Sequence, residues 1–255
     1  MATCLKGAAM RFISAVRGIA TVLLFVFFGI GTLLLAPFML VLRTPDRCHL
    51  PIRFTWRLLI LACRALGLIG IDAKALEHCR GCIVAANHPT LIDVVMITAL
   101  IPRTLFVAKH GLLNIPVLST AVRRAALPDD ARLLTVAEPY LASGWNVLVF
   151  PEGTRSKTLN EIGPLRRGVA QLALRTGAPI FCIGIHLTRM ILGKGQRITD
   201  MGVARAVFTF RSDSPRKAQL NPSIPLRSQA SALSDEIGKR LKSLIRDPND
   251  AGTSA

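Results

Sequence analysis

The chain has 255 residues, enough for one large domain with a substantial core. Its formal net charge of +17 and its positive mean hydropathy favour an anionic partner, either a nucleic acid or a membrane surface. The chain has one tyrosine and no recognisable nucleic-acid-reading module, so its composition argues against nucleic-acid binding.

The N-terminal segment predicts attachment to a membrane. No charged residue occurs from Gly18 to Leu42, and a helix of that length exceeds the roughly 30 Å of a bilayer's hydrocarbon core. The run is too long for the apolar core of a cleaved signal peptide. Two arrangements stay open, a spanning helix and a hairpin within one leaflet, because Gly29, Gly31 and Pro37 offer places to bend. Positive charge on both flanks suits a hairpin with both ends on the cytoplasmic side.

A second apolar segment, residues 52–71, predicts a basic amphipathic helix in the membrane interface. Arg53, Arg57 and Arg64 recur there at near-helical spacing, and we expect them to meet anionic headgroups. The alternative is a core helix with a solvated edge.

A C-x-x-C motif follows, formed by Cys79 and Cys82 with His78 beside it. A zinc site needs a second pair of ligands at suitable spacing, and the sequence shows none. We therefore expect no metal, and free thiols of this kind are typical of a reducing compartment.

Beyond residue 72, short apolar runs alternate with helical patterns, which predicts an α/β fold. The expected architecture is a mixed sheet flanked by helices, preceded by an N-terminal membrane-associated helical segment. The predicted strands cover residues 81–86, 105–108, 146–150, 180–185 and 204–210. The predicted helices cover residues 89–97, 132–141, 168–175 and 230–244. The predicted divisions are a membrane-anchoring segment (1–71), an α/β domain (72–246) and a disordered tail (247–255).

A histidine with a carboxylate nearby follows the first of these strands. The motif is Asn87-His88-Pro89-Thr90-Leu91-Ile92-Asp93. Histidine is suited to take up a proton near neutral pH, and a carboxylate on its other ring nitrogen fixes the tautomer. Residues five apart on one helix point about 140° apart, so we expect His88 just before a helix and Asp93 in its first turn. Pro89 suits the first helical position. A strand end and a helix cap without chemistry are the alternative.

A glycine turn follows the strand at residues 146–150. It reads Phe150-Pro151-Glu152-Gly153-Thr154-Arg155-Ser156. Gly153 permits a tight turn, and the planar guanidinium of Arg155 can hold a phosphate with two hydrogen bonds. Glu152 can balance Arg155 or contact a substrate. An ordinary surface turn is the alternative. Arg166 and Arg167 either extend the anion site or begin a solvated helix.

The two motifs together resemble those of the glycerolipid acyltransferase family, the 1-acylglycerol-3-phosphate acyltransferases and their relatives. The resemblance covers roughly residues 82–185. It implies that His88 and Asp93 are catalytic. It also implies a substrate-binding set of Glu152, Gly153, Thr154, Arg155, Arg132 and Lys109.

The chain departs from the family pattern in two places. The family's lysine-leucine-proline segment fits Lys109, Leu112 and Pro116. The phenylalanine-glycine pair that follows in the family is replaced here by Leu118-Ser119. Of the family's later aspartate-arginine segment, this chain keeps only the arginine, Arg132. Cys182 replaces the second proline of the last family motif. These departures leave the identity of the acceptor open.

The resemblance implies transfer of an acyl chain from acyl-CoA or acyl carrier protein to a lysophospholipid hydroxyl. The acceptor it favours is 1-acyl-glycerol-3-phosphate, giving phosphatidic acid. His88 would remove the hydroxyl proton while Asp93 orients its imidazole, and backbone N–H groups of residues 89–91 would stabilise the oxyanion. The sequence has no G-x-S-x-G elbow, so we expect direct transfer without an acyl-enzyme or a cofactor.

Other functions remain open. One is acyl transfer to another lipid or to an amine. Another is a non-catalytic protein that binds anionic membranes through its arginines. For the enzyme, the expected partners are membrane phospholipids, the lysophospholipid and the acyl donor, with the catalytic domain on the cytoplasmic side of a membrane.

Overall fold

A computed structural model describes residues 2–34, 45–77, 79–109, 111 and 125–246. Within these ranges the helices are α1 (Ala2–Leu34), α2 (Pro45–Ala65), α3 (Asp93–Leu100), α4 (Leu133–Ala142), α5 (Gly168–Thr176) and α6 (Leu226–Ile245). The strands are β1 (Ile69–Ala75), β2 (Ile83–Ala86), β3 (Thr104–Ala108), β4 (Ala126–Pro128), β5 (Asn146–Val149), β6 (Ile180–Leu187) and β7 (Ala206–Ser212). The predicted tail, residues 247–255, lies outside the described residues.

The seven strands form one mixed sheet in the order β1-β7-β6-β2-β5-β3-β4. Neighbouring strands run parallel except β6 and β7, which are antiparallel. The predicted α/β fold with a mixed, helix-flanked sheet is therefore confirmed. The sequence analysis missed β1 and β4, the two strands at the edges of the sheet.

The core lies in two layers, one on each face of the sheet. Along β2, Val84 and Ala86 belong to one buried cluster, whereas Ile83 and Ala85 belong to the other. Alternate residues of a strand point to opposite faces, so a strand covered by helices on both sides is apolar at every position. This arrangement explains why β2 appears in the sequence as a continuous apolar run.

The helix α2 corrects the interpretation of residues 52–71. It ends at Ala65, and the apolar residues that follow belong to β1, which pairs with β7. Arg53 and Arg57 each donate from Nε to the carbonyl oxygen of Ala99 at 3.0 Å. The last carbonyls of a helix lack intrahelical partners and attract cations. These two arginines therefore stabilise the end of α3, and the headgroup contact expected for them stays a prediction.

The boundary predicted at residue 71 falls inside β1, and the α2 side chains of Cys48, Ile52, Trp56 and Ile60 are buried in the same cluster as α3. Helix α2 and strand β1 thus share a core with the rest of the sheet.

The helix α1 runs without interruption through Gly29 and Gly31. Its segment Gly7–Gly31 is long and apolar enough to cross a membrane, with a mean hydropathy of 2.2. Leu24, Phe25 and Phe28 pack on the core, whereas Phe12 and Phe27 are exposed. The third predicted bending point, Pro37, lies outside the described ranges.

Candidate active site

The two motifs meet at one edge of the sheet. β2 and β5 are parallel neighbours, with Ile83 opposite Val147, so their carboxyl ends lie side by side. His88 follows the end of β2 and Gly153 follows the end of β5. The backbone N–H of Ser156 donates to the carbonyl of His88 at 2.7 Å and joins the two loops directly. Ligands of α/β folds bind beyond such strand ends.

His88 and Asp93 form the predicted pair. Nδ1 of His88 lies 2.9 Å from Oδ2 of Asp93, whose carboxylate is fully buried. The same carboxylate accepts the backbone N–H of Thr90 at 2.7 Å and the Thr90 hydroxyl. A buried charge needs such donors. Because Nδ1 is directed at the carboxylate, Nε2 is the ring nitrogen left for proton transfer.

The start of α3 differs from the prediction. The helix begins at Asp93, and Pro89 stands before it in the turn that residues 90–92 complete. The Asp93 carboxylate reaches back to Thr90 and closes this turn. His88 therefore precedes the helix and Asp93 lies in its first turn, as the spacing predicts.

Three neighbours fix the position of His88. Its ring stacks on Phe150, with centroids 4.1 Å apart and 20° between the planes. Its backbone N–H donates to Oε1 of Glu152 at 3.2 Å. The preceding Asn87 bonds through its side-chain amide to the backbone N–H and carbonyl of Ile185, at 2.7 and 2.9 Å, and ties the loop to β6. The imidazole is thus held before any substrate arrives.

Glu152 does not occupy the place predicted for it. Its carboxylate is 6% exposed and accepts hydrogen bonds from the backbone N–H groups of His88 and Gly163 and from the Ser156 hydroxyl. These donors use both carboxylate oxygens. Glu152 therefore connects the two loops, and the direct substrate contact predicted for it does not fit this position.

His88 opens onto a cleft of about 610 Å³. Much of its lining is apolar and includes Leu91, Val94, Phe106, Leu133, Val149 and Val169. Its cationic side chains are Lys109, Arg155 and Arg166, and one acidic residue, Asp129, also lines it. Three cations against one carboxylate favour an anionic group beside the histidine.

Arg155 uses one nitrogen of its guanidinium to bond backbone carbonyls of the protein. Its Nη1 donates to the carbonyl oxygens of Leu192 and Gly193, at 3.0 and 2.9 Å. These two bonds orient the guanidinium along the cleft wall. The planar fork carries five N–H donors, so the other nitrogens remain for a bidentate anion.

Gly153 makes room for Arg166. Its φ of +64° favours glycine, and a Cβ at this position would lie 2.5 Å from Nε of Arg166. The guanidinium of Arg166 therefore rests on the glycine turn and faces the cleft, which supports the anion-site alternative for this residue. Arg167 precedes α5, is exposed and does not line the cleft.

Two further expectations fail. Arg132 is held by Asp130, with 2.7 Å between Nη2 and Oδ2, and its side chain is 70% exposed and outside the cleft lining.

The backbone N–H of Thr90 donates to Asp93 and that of Leu91 donates to Leu192, while Pro89 has no N–H. The turn at residues 89–91 therefore has no N–H free for an oxyanion. Thr154, in contrast, is exposed and lines the cleft as predicted.

The C-x-x-C motif lies at the other end of β2 from His88. The interaction between the two neighbouring thiols raises the pKa of Cys79 and lowers the pKa of Cys82. Among the residues described, no group of three His, Cys, Asp or Glu side chains could hold a metal ion. His78 lies outside the described ranges.

Sequence reasoning missed four residues that support the site. Asn87, Thr90 and Ser156 are part of the motifs themselves, so the signal was present but their partners were not evident. Leu192 contributes only a backbone carbonyl, which leaves no mark in the sequence.

Comparisons with known proteins agree with this geometry. A family model described as Acyltransferase matches residues 71–186. A 1-acyl-sn-glycerol-3-phosphate acyltransferase from Neisseria meningitidis is 24% identical over 75% of this chain and 79% of its own length. One from Cocos nucifera is 32% identical over 58% of this chain and 50% of its own length. Over this stretch the chain is similar to the glycerolipid acyltransferases.

The extent of the match varies among members of the family. The chain spans 43% of the length of a chloroplastic 1-acyl-sn-glycerol-3-phosphate acyltransferase from Brassica napus, with 27% identity over 54% of this chain. The crystal structure of the 1-acyl-sn-glycerophosphate acyltransferase PlsC from Thermotoga maritima superposes with a TM-score of 0.65 at 20% identity. That match covers 90% of this chain and 98% of the other, and it shows that the two chains share an α/β fold.

Proposed function

We propose that the protein is an O-acyltransferase that moves a fatty acyl chain from an acyl-CoA or acyl carrier protein thioester to a lysophospholipid hydroxyl. The proposed acceptor is 1-acylglycerol-3-phosphate, and the product is phosphatidic acid. One observation carries this proposal: the His88–Asp93 pair opens onto the same cleft as Lys109, Arg155 and Arg166. The names of the related enzymes from Neisseria and Cocos support the same acceptor.

The chemistry follows from the free ring nitrogen. Nε2 of His88 takes up the proton of the acceptor hydroxyl while the hydroxyl oxygen bonds to the thioester carbonyl carbon. Asp93 stabilises the imidazolium that forms. When the tetrahedral intermediate collapses, the C–S bond breaks and the imidazolium returns its proton to the thiolate. The histidine is regenerated, and the thioester is a co-substrate rather than a cofactor.

The cations distinguish a phosphorylated acceptor from a neutral one. A phosphate monoester carries nearly two negative charges near pH 7 and presents three acceptor oxygens. Arg155 offers a guanidinium fork with fixed orientation, Arg166 a second guanidinium, and Lys109 a mobile ammonium. The apolar remainder of the lining suits the first part of an acyl chain.

We also propose that α1 attaches the protein to a membrane, where it meets phospholipids and its lysophospholipid, with the cleft on the cytoplasmic side. The length of the apolar segment Gly7–Gly31 and the exposure of Phe12 and Phe27 support attachment. Full-length protein should sediment with membranes and require detergent for release. Recovery in the soluble fraction at low salt without detergent would contradict the attachment.

The test of function is an acceptor panel. Purified full-length protein is supplied with acyl-CoA or acyl-loaded carrier protein, and with 1-acylglycerol-3-phosphate, 1-acylglycerol or 1-acylglycerophosphocholine. We expect phosphatidic acid from the phosphate monoester and little product from the other two. Equal transfer to all three, or transfer to none, would reject the proposed acceptor.

A further inference from the structure

The segment between β6 and β7, residues 188–205, supports both halves of the site. The carbonyl oxygen of Leu192 accepts the backbone N–H of Leu91 and Nη1 of Arg155, each at 3.0 Å. The Gly193 carbonyl accepts Nη1 of Arg155 at 2.9 Å. The orientation of the Arg155 guanidinium therefore depends on where this segment places two backbone carbonyls.

The direction of the Leu192 carbonyl depends on contacts that the segment makes with the rest of the protein. Leu192 has a φ of +52°, which non-glycine residues seldom adopt and which persists only when the surroundings impose it. The segment contains no helix or strand. The buried side chains of Ile191, Leu192 and Met201 pack in the same core cluster as α1 residues Leu24 and Phe25.

Helix α1 packs closely against residues 188–205 at Gly18. A Cβ at Gly18 would lie 2.5 Å from the carbonyl oxygen of Thr199, so no larger residue fits without moving the segment. The preceding residue, Arg17, donates from Nη2 to the carbonyls of Leu68 and Ala204, at 3.3 and 3.4 Å. The helix thus touches the segment at two places on the C-terminal side of the carbonyls that hold Arg155.

Two consecutive turns connect these contacts with Gly193. The Gly193 N–H donates to Oε1 of Gln196 at 3.0 Å, and the Gln196 N–H returns to the Gly193 carbonyl at 3.3 Å. The Asp200 N–H then donates to the Arg197 carbonyl at 3.0 Å. Hydrogen-bonded turns of this kind restrict backbone motion. A displacement at Thr199 should therefore move the Leu192 and Gly193 carbonyls that bind Arg155.

We propose that α1 is a positioning element of the acceptor site. Seated at Gly18, it holds residues 188–205 so that the carbonyls of Leu192 and Gly193 aim Arg155 into the cleft. The inference rests on the proposed function, because it takes Arg155 to be an acceptor ligand. Its consequence is that displacing α1 acts mainly on acceptor binding, through the two bonds to Arg155, and less on the base side, where the segment accepts only the Leu91 N–H. The His88–Asp93 pair keeps its own bonds to Thr90 and its stacking on Phe150.

The first test compares two glycines of the same helix. Gly18→Val adds bulk against Thr199, whereas Gly31→Val adds the same bulk where none of the described residues lies within 4 Å. Acceptor KM, donor KM, kcat and thermal unfolding are measured for full-length protein in detergent micelles. For Gly18→Val we expect an acceptor KM raised about fivefold, with kcat and donor KM within about twofold of wild type. Gly31→Val should match wild type. Equal kinetics for both variants, or an equal loss in kcat and in both KM values, would overturn the proposal.

The second test asks whether the effect passes through Arg155. In a double-mutant cycle, Gly18→Val should add no further change to the acceptor KM of Arg155→Ala, because the oriented group is already gone. Additive effects would reject the route through Arg155. Should Gly18→Val fail to fold, Arg17→Gln removes the bond to Ala204 without added bulk and should raise the acceptor KM about threefold. An unchanged acceptor KM in Arg17→Gln would then reject the proposal. Failure of the wild-type protein to acylate any phosphate acceptor would instead reject the proposed function.

Discussion

The two halves of the cleft are held in place in different ways. On the base side, His88, Thr90 and Asp93 are close in sequence and satisfy one another's hydrogen bonds inside a buried turn. On the cation side, Arg155 depends on carbonyls 37 and 38 residues further along the chain, and Lys109 is exposed. The proton-transfer pair is thus completed within one turn, whereas Arg155 takes its orientation from a separate segment. We therefore expect substitutions on the base side to change kcat and those on the cation side to change the acceptor KM.

The largest effect is expected for His88→Ala. Removing the general base should lower kcat about 10³-fold, while both KM values stay near those of the wild type. The Thr90–Asp93 bonds remain, so thermal unfolding should be little changed. Steady-state kinetics with a fixed thioester check this expectation. Near wild-type kcat in a normally folded variant would remove His88 from the mechanism.

Glu152→Gln tests whether Glu152 positions His88 or contacts the acceptor. The neutral amide weakens the charge-assisted bonds to the N–H groups of His88 and Gly163 and places an N–H₂ group where an acceptor is needed. We expect kcat to fall about tenfold through misplacement of His88, with the acceptor KM nearly unchanged. A rise confined to the acceptor KM would mean that Glu152 contacts the substrate after all.

Arg155→Lys should have an effect of similar size on a different parameter. Lysine cannot reproduce the guanidinium fork, so the acceptor KM should rise about tenfold, or roughly 1.4 kcal/mol of binding. The donor KM should change little. If only the donor KM changed, the two substrates would have been assigned to the wrong ends of the cleft.

Arg166→Gln should produce the smallest change, with Arg167→Gln as its matched control. Arg166 lines the cleft above Gly153, whereas its neighbour Arg167 points away from the lining. Loss of one of three cations should raise the acceptor KM about threefold, less so at high salt because an exposed charge is screened. An equal rise in the acceptor KM of both variants would show that the rise comes from general surface charge and not from the cleft.

The sequence predicted the His88–Asp93 pair well because the two residues are only five apart. His88 and Asp93 meet within one turn, and the spacing with the preceding strand was sufficient to place them. Asn87 could not be assigned a partner, since Ile185 is 98 residues away. Arg132, predicted to bind substrate, pairs with Asp130 two residues earlier and is not among the residues that line the cleft. Strand β1 was merged with the preceding helix because both are apolar, and only pairing with β7 distinguishes them.

The central claim is that the base and the cations act on one acceptor molecule. A competition assay measures this most directly: equimolar 1-acylglycerol-3-phosphate and 1-acylglycerol compete for one thioester, and mass spectrometry gives the ratio of products. We expect wild-type protein to prefer the phosphate acceptor strongly. Arg155→Gln should lose most of that preference while still acylating the neutral acceptor at the wild-type rate. A product ratio unchanged by Arg155→Gln would contradict the shared cleft.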